Sequence, residues 1–255
     1  MISKNQIKFV NSLKQKKFRE EHHLFIAEGS KIVTELLSSA IVVKQVYATA
    51  AYLKNNNIGK EIECFEIKEA ELERISALTS ANEVLAVCEI PCYELNVDLL
   101  KDKLTLVLDD IKDPGNLGTI IRIADWFGIE NIVCSNETAD VFNPKVVQAT
   151  MGSVSRIKVH YTDLITFFNN PISNVQYPIY GALLEGKNIY NEKLSSNGFI
   201  IIGNESKGIS DKLIPFITEK ISIPSFSHYK SGSGEAESLN AAIAASIICS
   251  EFRRR

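Results

Sequence analysis

The sequence predicts an α/β protein of two domains, and three observations carry that prediction. From residue 104 onward, short apolar runs alternate with helix-spaced segments, the pattern of a mainly parallel sheet covered on both faces. Before residue 95 the alternation is tighter, which fits a small α/β domain of about 70 residues. Between the two, Pro91 to Asp98 has the polar, Pro-started composition of a linker. The division that follows is 1–95 for the first domain, 96–103 for the linker and 104–255 for the second domain.

The first domain opens on a basic stretch. Residues 1–19 hold Lys4, Lys8, Lys14, Lys16, Lys17 and Arg19 and no acid, against a net charge of −3 for the whole chain. With Ile7, Val10 and Leu13 on one side, they read as a single basic helix, either simply solvated or laid along a phosphate backbone. Phe25-Ile26, a helix over 29–39, strands at 42–48 and 62–67, a helix over 69–76 and a strand at 84–90 complete this domain. In the second domain, strands are predicted at 104–109, 130–134, 156–160, 177–181, 198–203 and 219–223. Helices fall at 116–128, 143–151, 162–169, 210–217 and 238–252, and the closing Arg253 to Arg255 reads as a frayed helix end.

Composition excludes several classes. A chain of 255 residues with 45% hydrophobic content can build a full core. No apolar run approaches the roughly 20 residues that span a bilayer, so no membrane association is expected. The N-terminal residues have no apolar signal core, and the five cysteines form no CxxC pair. The expectation is a cytoplasmic protein with reduced thiols and no metal site.

In parallel sheets ligands bind beyond the carboxyl ends of strands, so three strand ends carry the candidate chemistry. At the first, Asp113-Pro114-Gly115 breaks the chain, and Leu117, Ile120, Ile121 and Ala124 then fall at helical spacing. Arg122 projects opposite that stripe beside Thr119 and Trp126. An outward Arg alone reads equally well as solvated, but Trp126 on the same face points to a covered surface. At the second, Gly203-Asn204-Glu205-Ser206-Lys207-Gly208 follows an apolar strand, and its glycines permit close approach or positive φ. Glu205 either caps the following helix or stands as a carboxylate at the mouth of a cleft. A phosphate loop is not supported, because Ile209 stands where that motif needs Lys. At the third, Ile223-Pro224 is followed by a polar loop and Ser238-Leu239-Asn240, with Ser238 the expected N-cap of the last helix. That helix is apolar nearly all round. Ala241, Ala244, Ala245 and Ile248 would face a second subunit, which with Trp126 predicts a homodimer. Gly232-Ser-Gly234 does not complete a dinucleotide fingerprint, and Gly115 to Gly118 has the form of a KH loop in the wrong structural context.

Taken in order, Asn116 to Arg122, Gly203 to Gly208, and Ile223-Pro224 with Ser238 to Asn240 resemble the three motifs of the SpoU (TrmH-type) branch of the SPOUT RNA methyltransferases. The likeness spans about 104–255, and a weaker one links Ile2 to Lys8 and Phe25 to Val33 to the family's substrate-binding domain. The resemblance implies an α/β trefoil-knot domain with a mainly parallel sheet, preceded by a small α/β substrate-binding domain. It also implies methyl transfer from S-adenosyl-L-methionine to a ribose 2′-hydroxyl of structured RNA, ribosomal RNA before transfer RNA. The alternative is a non-catalytic RNA-binding assembly factor on the same fold. By the resemblance, the catalytic positions are Asn116, Arg122, Glu205, Ser238 and Asn240, and the cofactor positions are Leu183, Gly203, Ile223 and Leu239. An Arg is effectively never deprotonated, so Arg122 is expected to stabilise charge on the ribose oxygen or grip a phosphate while Glu205 or water takes the proton. Two departures stand out: the long loop Ser225 to Glu237, either a lid or a tolerated insertion, and Gln148 where relatives carry a basic residue.

Overall fold

The computed structural model describes residues 2–78, 82–169, 177–226 and 238–254. Its first 92 residues give α1 (Lys4–Ser12), α2 (Lys16–His22), β1 (Leu24–Glu28), α3 (Ser30–Leu37), β2 (Val43–Ala48), α4 (Ala50–Asn55), β3 (Glu63–Glu66), α5 (Glu69–Glu73) and β4 (Val84–Glu89). Beyond them follow β5 (Leu104–Leu108), α6 (Pro114–Trp126), β6 (Asn131–Ser135), α7 (Pro144–Thr150), β7 (Lys158–Thr162) and α8 (Leu164–Asn169). The chain ends with β8 (Ile179–Asn188), β9 (Gly198–Ile202), β10 (Glu219–Ser222) and α9 (Ala241–Arg253). Contacts divide it into two compact units, Met1–Cys92 with Asp140–Arg156, and Tyr93–Ala139 with Ile157–Arg255.

The first unit is built on a four-stranded sheet of order β1-β4-β2-β3, with β4 antiparallel to both neighbours and β2 parallel to β3. Val10, Leu13, Ile26, Tyr47, Leu85 and Val87 form much of its core. The expected single helix over 1–19 is two helices. Ser3 and Gln6 close a capping box at the start of α1, and the helix stops at Leu13. The break leaves the carbonyls of Leu13 and Lys14 without helical donors. Arg19, only 2% exposed, donates to both (3.0 and 2.9 Å) and pairs with Asp140. Lys14 is likewise occupied, donating Nζ to the Ser76 carbonyl at 2.6 Å. Two of the six N-terminal cations therefore serve the fold, while Lys4, Lys8, Lys16 and Lys17 are exposed.

The second unit is a six-stranded, all-parallel sheet of order β10-β8-β9-β5-β6-β7. Every residue of β5, β6 and β9 is buried, which is why these strands read as mainly apolar runs without polar alternation. Val107, Val133, Phe168, Phe199, Ile201 and Leu213 lie in one core cluster. From β5 the chain moves through β6 to β7 on one side, then returns to place β9 against the other edge of β5. The boundary between β5 and β9 is thus a topological switch point, where open α/β sheets bind their ligands.

Five expectations are corrected here. The helix over 210–217 is replaced by a single 3₁₀ turn at Ile214–Phe216, because Pro215 has no N–H to continue an α-helix. The strand predicted at 177–181 runs on to Asn188. It pairs with β10 at Tyr180 and Gly181, bulges at 182–186, and pairs again at Lys187 and Asn188. The last helix is capped by Asn240, not Ser238, since Asn240 Oδ1 accepts from the N–H groups of Ala242 (2.9 Å) and Ile243 (3.3 Å). Its faces are also reversed: Ala241, Ala245 and Ile248 are buried in their own chain, and Leu239 and Ile243 point outward. Nor does the helix end fray, because Arg253 donates to the carbonyls of Phe127 (2.8 Å) and Gly128 (3.1 Å) at the carboxyl end of α6. Of the Ser225 to Glu237 loop, residues 227–237 lie outside the described residues. Among the described residues no helix is long and apolar enough to cross a membrane, and no cluster of side chains could hold a metal ion. All five cysteines are free.

Candidate active site

The first and second motifs meet at the switch point. Asp113 and Pro114 start α6 as N-cap and first helical residue, and Asp113 Oδ1 accepts the backbone N–H of Asn116 at 2.7 Å. This turns the Asn116 side chain to the open amino end of the helix. Glu205 rides in a closed turn after β9, where Asn204 and Gly208 exchange two backbone hydrogen bonds of 3.0 and 2.9 Å. Gly208 takes φ +69°, and a Cβ on Gly203 would lie 2.2 Å from the carbonyl carbon of Gly208. Both glycines are therefore required by the turn itself.

Three side chains form one directed chain of hydrogen bonds. Because Asn240 Oδ1 is committed to two N–H groups of α9, its Nδ2 must point the other way, and it donates to Asn116 Oδ1 at 2.9 Å. That fixes the amide of Asn116 in turn, and its Nδ2 donates to Glu205 Oε1 at 2.6 Å. Glu205 Oε1 is thus held as an acceptor. With no α-helix following its turn, its alternative reading as a helix cap falls away.

Arg122 stands on the exposed face of α6 and, with Asn116, Thr119, Trp126, Asn240 and Ile243, lines an open cleft of about 530 Å³ between α6 and α9. Trp126 is 85% exposed there. The structure brings Asn116, Glu205 and Asn240 into direct contact and puts Arg122 on the cleft that Asn116 and Asn240 share. Ser238 is exposed and takes no part in that chain. Sequence reasoning passed over Asp113, although an Asp-Pro pair at a strand-to-helix junction is itself an N-cap signal.

The remaining positions sit at the carboxyl ends of neighbouring strands. Gly203 follows β9, Ile223 follows β10, and Leu183 lies in the bulge of β8, which is hydrogen-bonded to both. Leu183 and Ile223 are half-buried, and Leu239 is 46% exposed. Partly covered aliphatic groups beside main chain released from a sheet ladder suit an adenosine, which offers an apolar face and a hydrogen-bonding edge. The residues present therefore fit S-adenosyl-L-methionine.

The matches to known proteins place this parallel α/β fold in the SPOUT class of S-adenosyl-L-methionine-dependent RNA 2′-O-methyltransferases. The chain belongs to the SpoU rRNA methylase family, whose profile matches residues 103–250. An MRM3-like substrate binding domain matches residues 4–86. Among curated relatives, the 23S rRNA (guanosine(2553)-2′-O)-methyltransferase RlmP of Bacillus subtilis is 30% identical over 253 residues, covering 98% of this chain and 97% of that one. Among solved structures, a putative RNA methyltransferase of the TrmH family from Porphyromonas gingivalis superposes with a TM-score of 0.88 at 36% identity, covering 100% of this chain and 99% of the other. An AdoMet-bound rRNA methyltransferase from Sinorhizobium meliloti gives a TM-score of 0.84 at 28% identity, with 100% and 97% coverage. The fold class, enzyme class and cofactor implied by the three motifs hold.

The directed chain separates two functions of Asn240. Asp caps helices as well as Asn but has no N–H to give, so Asn240→Asp should leave the thermal midpoint nearly unchanged and lower methyl transfer by about 100-fold. Asn240→Ala should additionally destabilise the protein by about 1 kcal/mol. Calorimetric melting beside a methyl-incorporation assay reads both effects, and full activity in the Asp variant would remove the relay from the reaction.

Proposed function

We propose that this enzyme methylates a ribose 2′-hydroxyl of 23S-type ribosomal RNA in the cytoplasm. The reading rests on the match to a 23S rRNA methyltransferase over nearly the whole of both chains, substrate-binding portion included. Residues 1–95 would hold the RNA, with exposed Lys4, Lys8, Lys16 and Lys17 available to phosphates, and 104–255 would carry out the transfer.

When bound, S-adenosyl-L-methionine would supply a methyl group on a sulfonium, a donor whose leaving group is a neutral thioether that needs no acid. The protein's task is to align the hydroxyl, accept its proton and stabilise the oxygen's developing charge. Leu183, Gly203, Ile223 and Leu239 hold the cofactor in this reading. Glu205, fixed by Asn116, accepts the 2′-hydroxyl proton directly or through a water, and Ser238 and Asn240 border the same site. Arg122 stays protonated and either stabilises the ribose oxygen or grips the adjacent phosphate.

The chain works as a homodimer in which a second copy covers Trp126 and Ile243, the apolar groups that α6 and α9 turn outward. Placing a charge there, as in Trp126→Asp, should shift the sedimenting species to monomer; an unchanged dimer would remove this face from the contact.

Two further measurements test the reading. Arg122→Ala should lower methyl transfer by about 10²–10³-fold, with Arg122→Lys intermediate because it keeps the charge and loses the fork. Full activity in Arg122→Ala would exclude Arg122 from the mechanism. Mapping 2′-O-methyl sites in total RNA with and without the protein should show one ribosomal site lost on its removal. Loss at a transfer RNA position instead would overturn the substrate.

A further inference from the structure

The turn that carries Glu205 is fastened to the neighbouring strand at both of its ends. On one side, Asn204 Nδ2 donates to the carbonyl of Asp110 at 2.8 Å. The orientation of that amide is fixed, because Asn204 Oδ1 accepts from the N–H groups of Ser206 (2.9 Å) and Lys207 (3.1 Å) inside the turn. On the other side, the N–H of Ser210 donates to Asp109 Oδ2 at 2.7 Å, and Asp109 is almost fully buried. Asp110 adopts φ +60°, a left-handed conformation uncommon for a residue with a side chain. Its N–H is held by Ser135 Oγ at 3.0 Å. A strained residue retained at a strand end is over-determined by its surroundings, and here the surroundings aim its carbonyl at Asn204.

We propose that Asn204 is a positioning residue for the reaction, tying the Glu205 turn to Asp110 so that the carboxylate meets both Asn116 and the incoming hydroxyl. Asn116 fixes one oxygen of Glu205 from the α6 side. Asn204 fixes the backbone from which Glu205 springs, and it does so through β5, the strand that also delivers α6. Both halves of the constellation are therefore referenced to the end of one strand. A displacement of about 1 Å in such a group is enough to cost roughly 100-fold in rate. The proposal rests on the assignment of Glu205 as proton acceptor.

The experiment is a double-mutant cycle on the full-length protein, with ribosomal RNA from cells lacking it as substrate. Single-turnover rates would be measured with S-adenosyl-L-methionine saturating, and cofactor affinity by calorimetry. Asn204→Ala should slow methyl transfer about 10- to 100-fold while cofactor affinity stays within about twofold. Asn204→Asp keeps the caps on Ser206 and Lys207 but sets an oxygen against the Asp110 carbonyl in place of the tether, and should show at least as large a loss; it serves if the Ala variant does not fold. In a Glu205→Gln background neither substitution should slow the reaction further, because the group they position is no longer competent. An undiminished rate in both Asn204 variants, or the same loss again in the Glu205→Gln background, would overturn the proposal. A full rate in Glu205→Gln alone would instead overturn the assignment of Glu205.

Discussion

The amino end of α9 decides the polarity of the whole site. An asparagine amide can be turned over at little cost when its surroundings are indifferent, exchanging donor for acceptor. Here the two N–H groups of Ala242 and Ile243 accept only one answer, an oxygen, and so dictate the amide of Asn240. The consequence passes through Asn116 to Glu205 without further choice. A polar network that is satisfied in one sense only specifies a single arrangement, and reversing any member would set two donors or two acceptors face to face. The arrangement is held by the protein's own hydrogen bonds, which is the condition for electrostatic preorganisation.

The sheet supplies the second constraint. Asn116 and Glu205 are 89 residues apart in sequence and Asn116 and Asn240 are 124 apart, yet all three meet because β9 returns to lie against β5. Five paired positions, from Leu104 opposite Gly198 to Leu108 opposite Ile202, align the two strand ends level with each other. A slip of the register by one residue would exchange the two buried faces of β9 and carry Glu205 away from Asn116.

What could be read from the sequence follows from the same physics. β5, β6 and β9 are buried on both faces and stand out as apolar runs, and the stripe of α6 correctly placed Arg122 and Trp126 outward. Several of the failures share one cause, a partner distant in sequence. β8 is long because β10 rejoins it beyond a bulge, and Arg19 is internal because Asp140 faces it. Arg253 is ordered because α6 ends within its reach. Ser238 has the right residue type for a cap but yields to Asn240, whose amide also has Asn116 to answer. The candidate residues could be picked out as motifs; the direction of the bonds among them could not, because no local pattern encodes it.

The membership of Asp140–Arg156 in the first unit has a consequence for how the chain matures on the ribosome. Arg19 leaves the exit tunnel 121 residues ahead of Asp140, an interval of roughly 6 to 24 s at 5–20 residues per second. Throughout that interval the first unit must either hold a desolvated cation with no counter-charge or stay partly open. Stretches α7 and Asp140 are also what a fragment cut near residue 95 would lack. The first unit is therefore completed only after the first two strands of the larger sheet have been made, so neither unit is finished before synthesis of the other has begun.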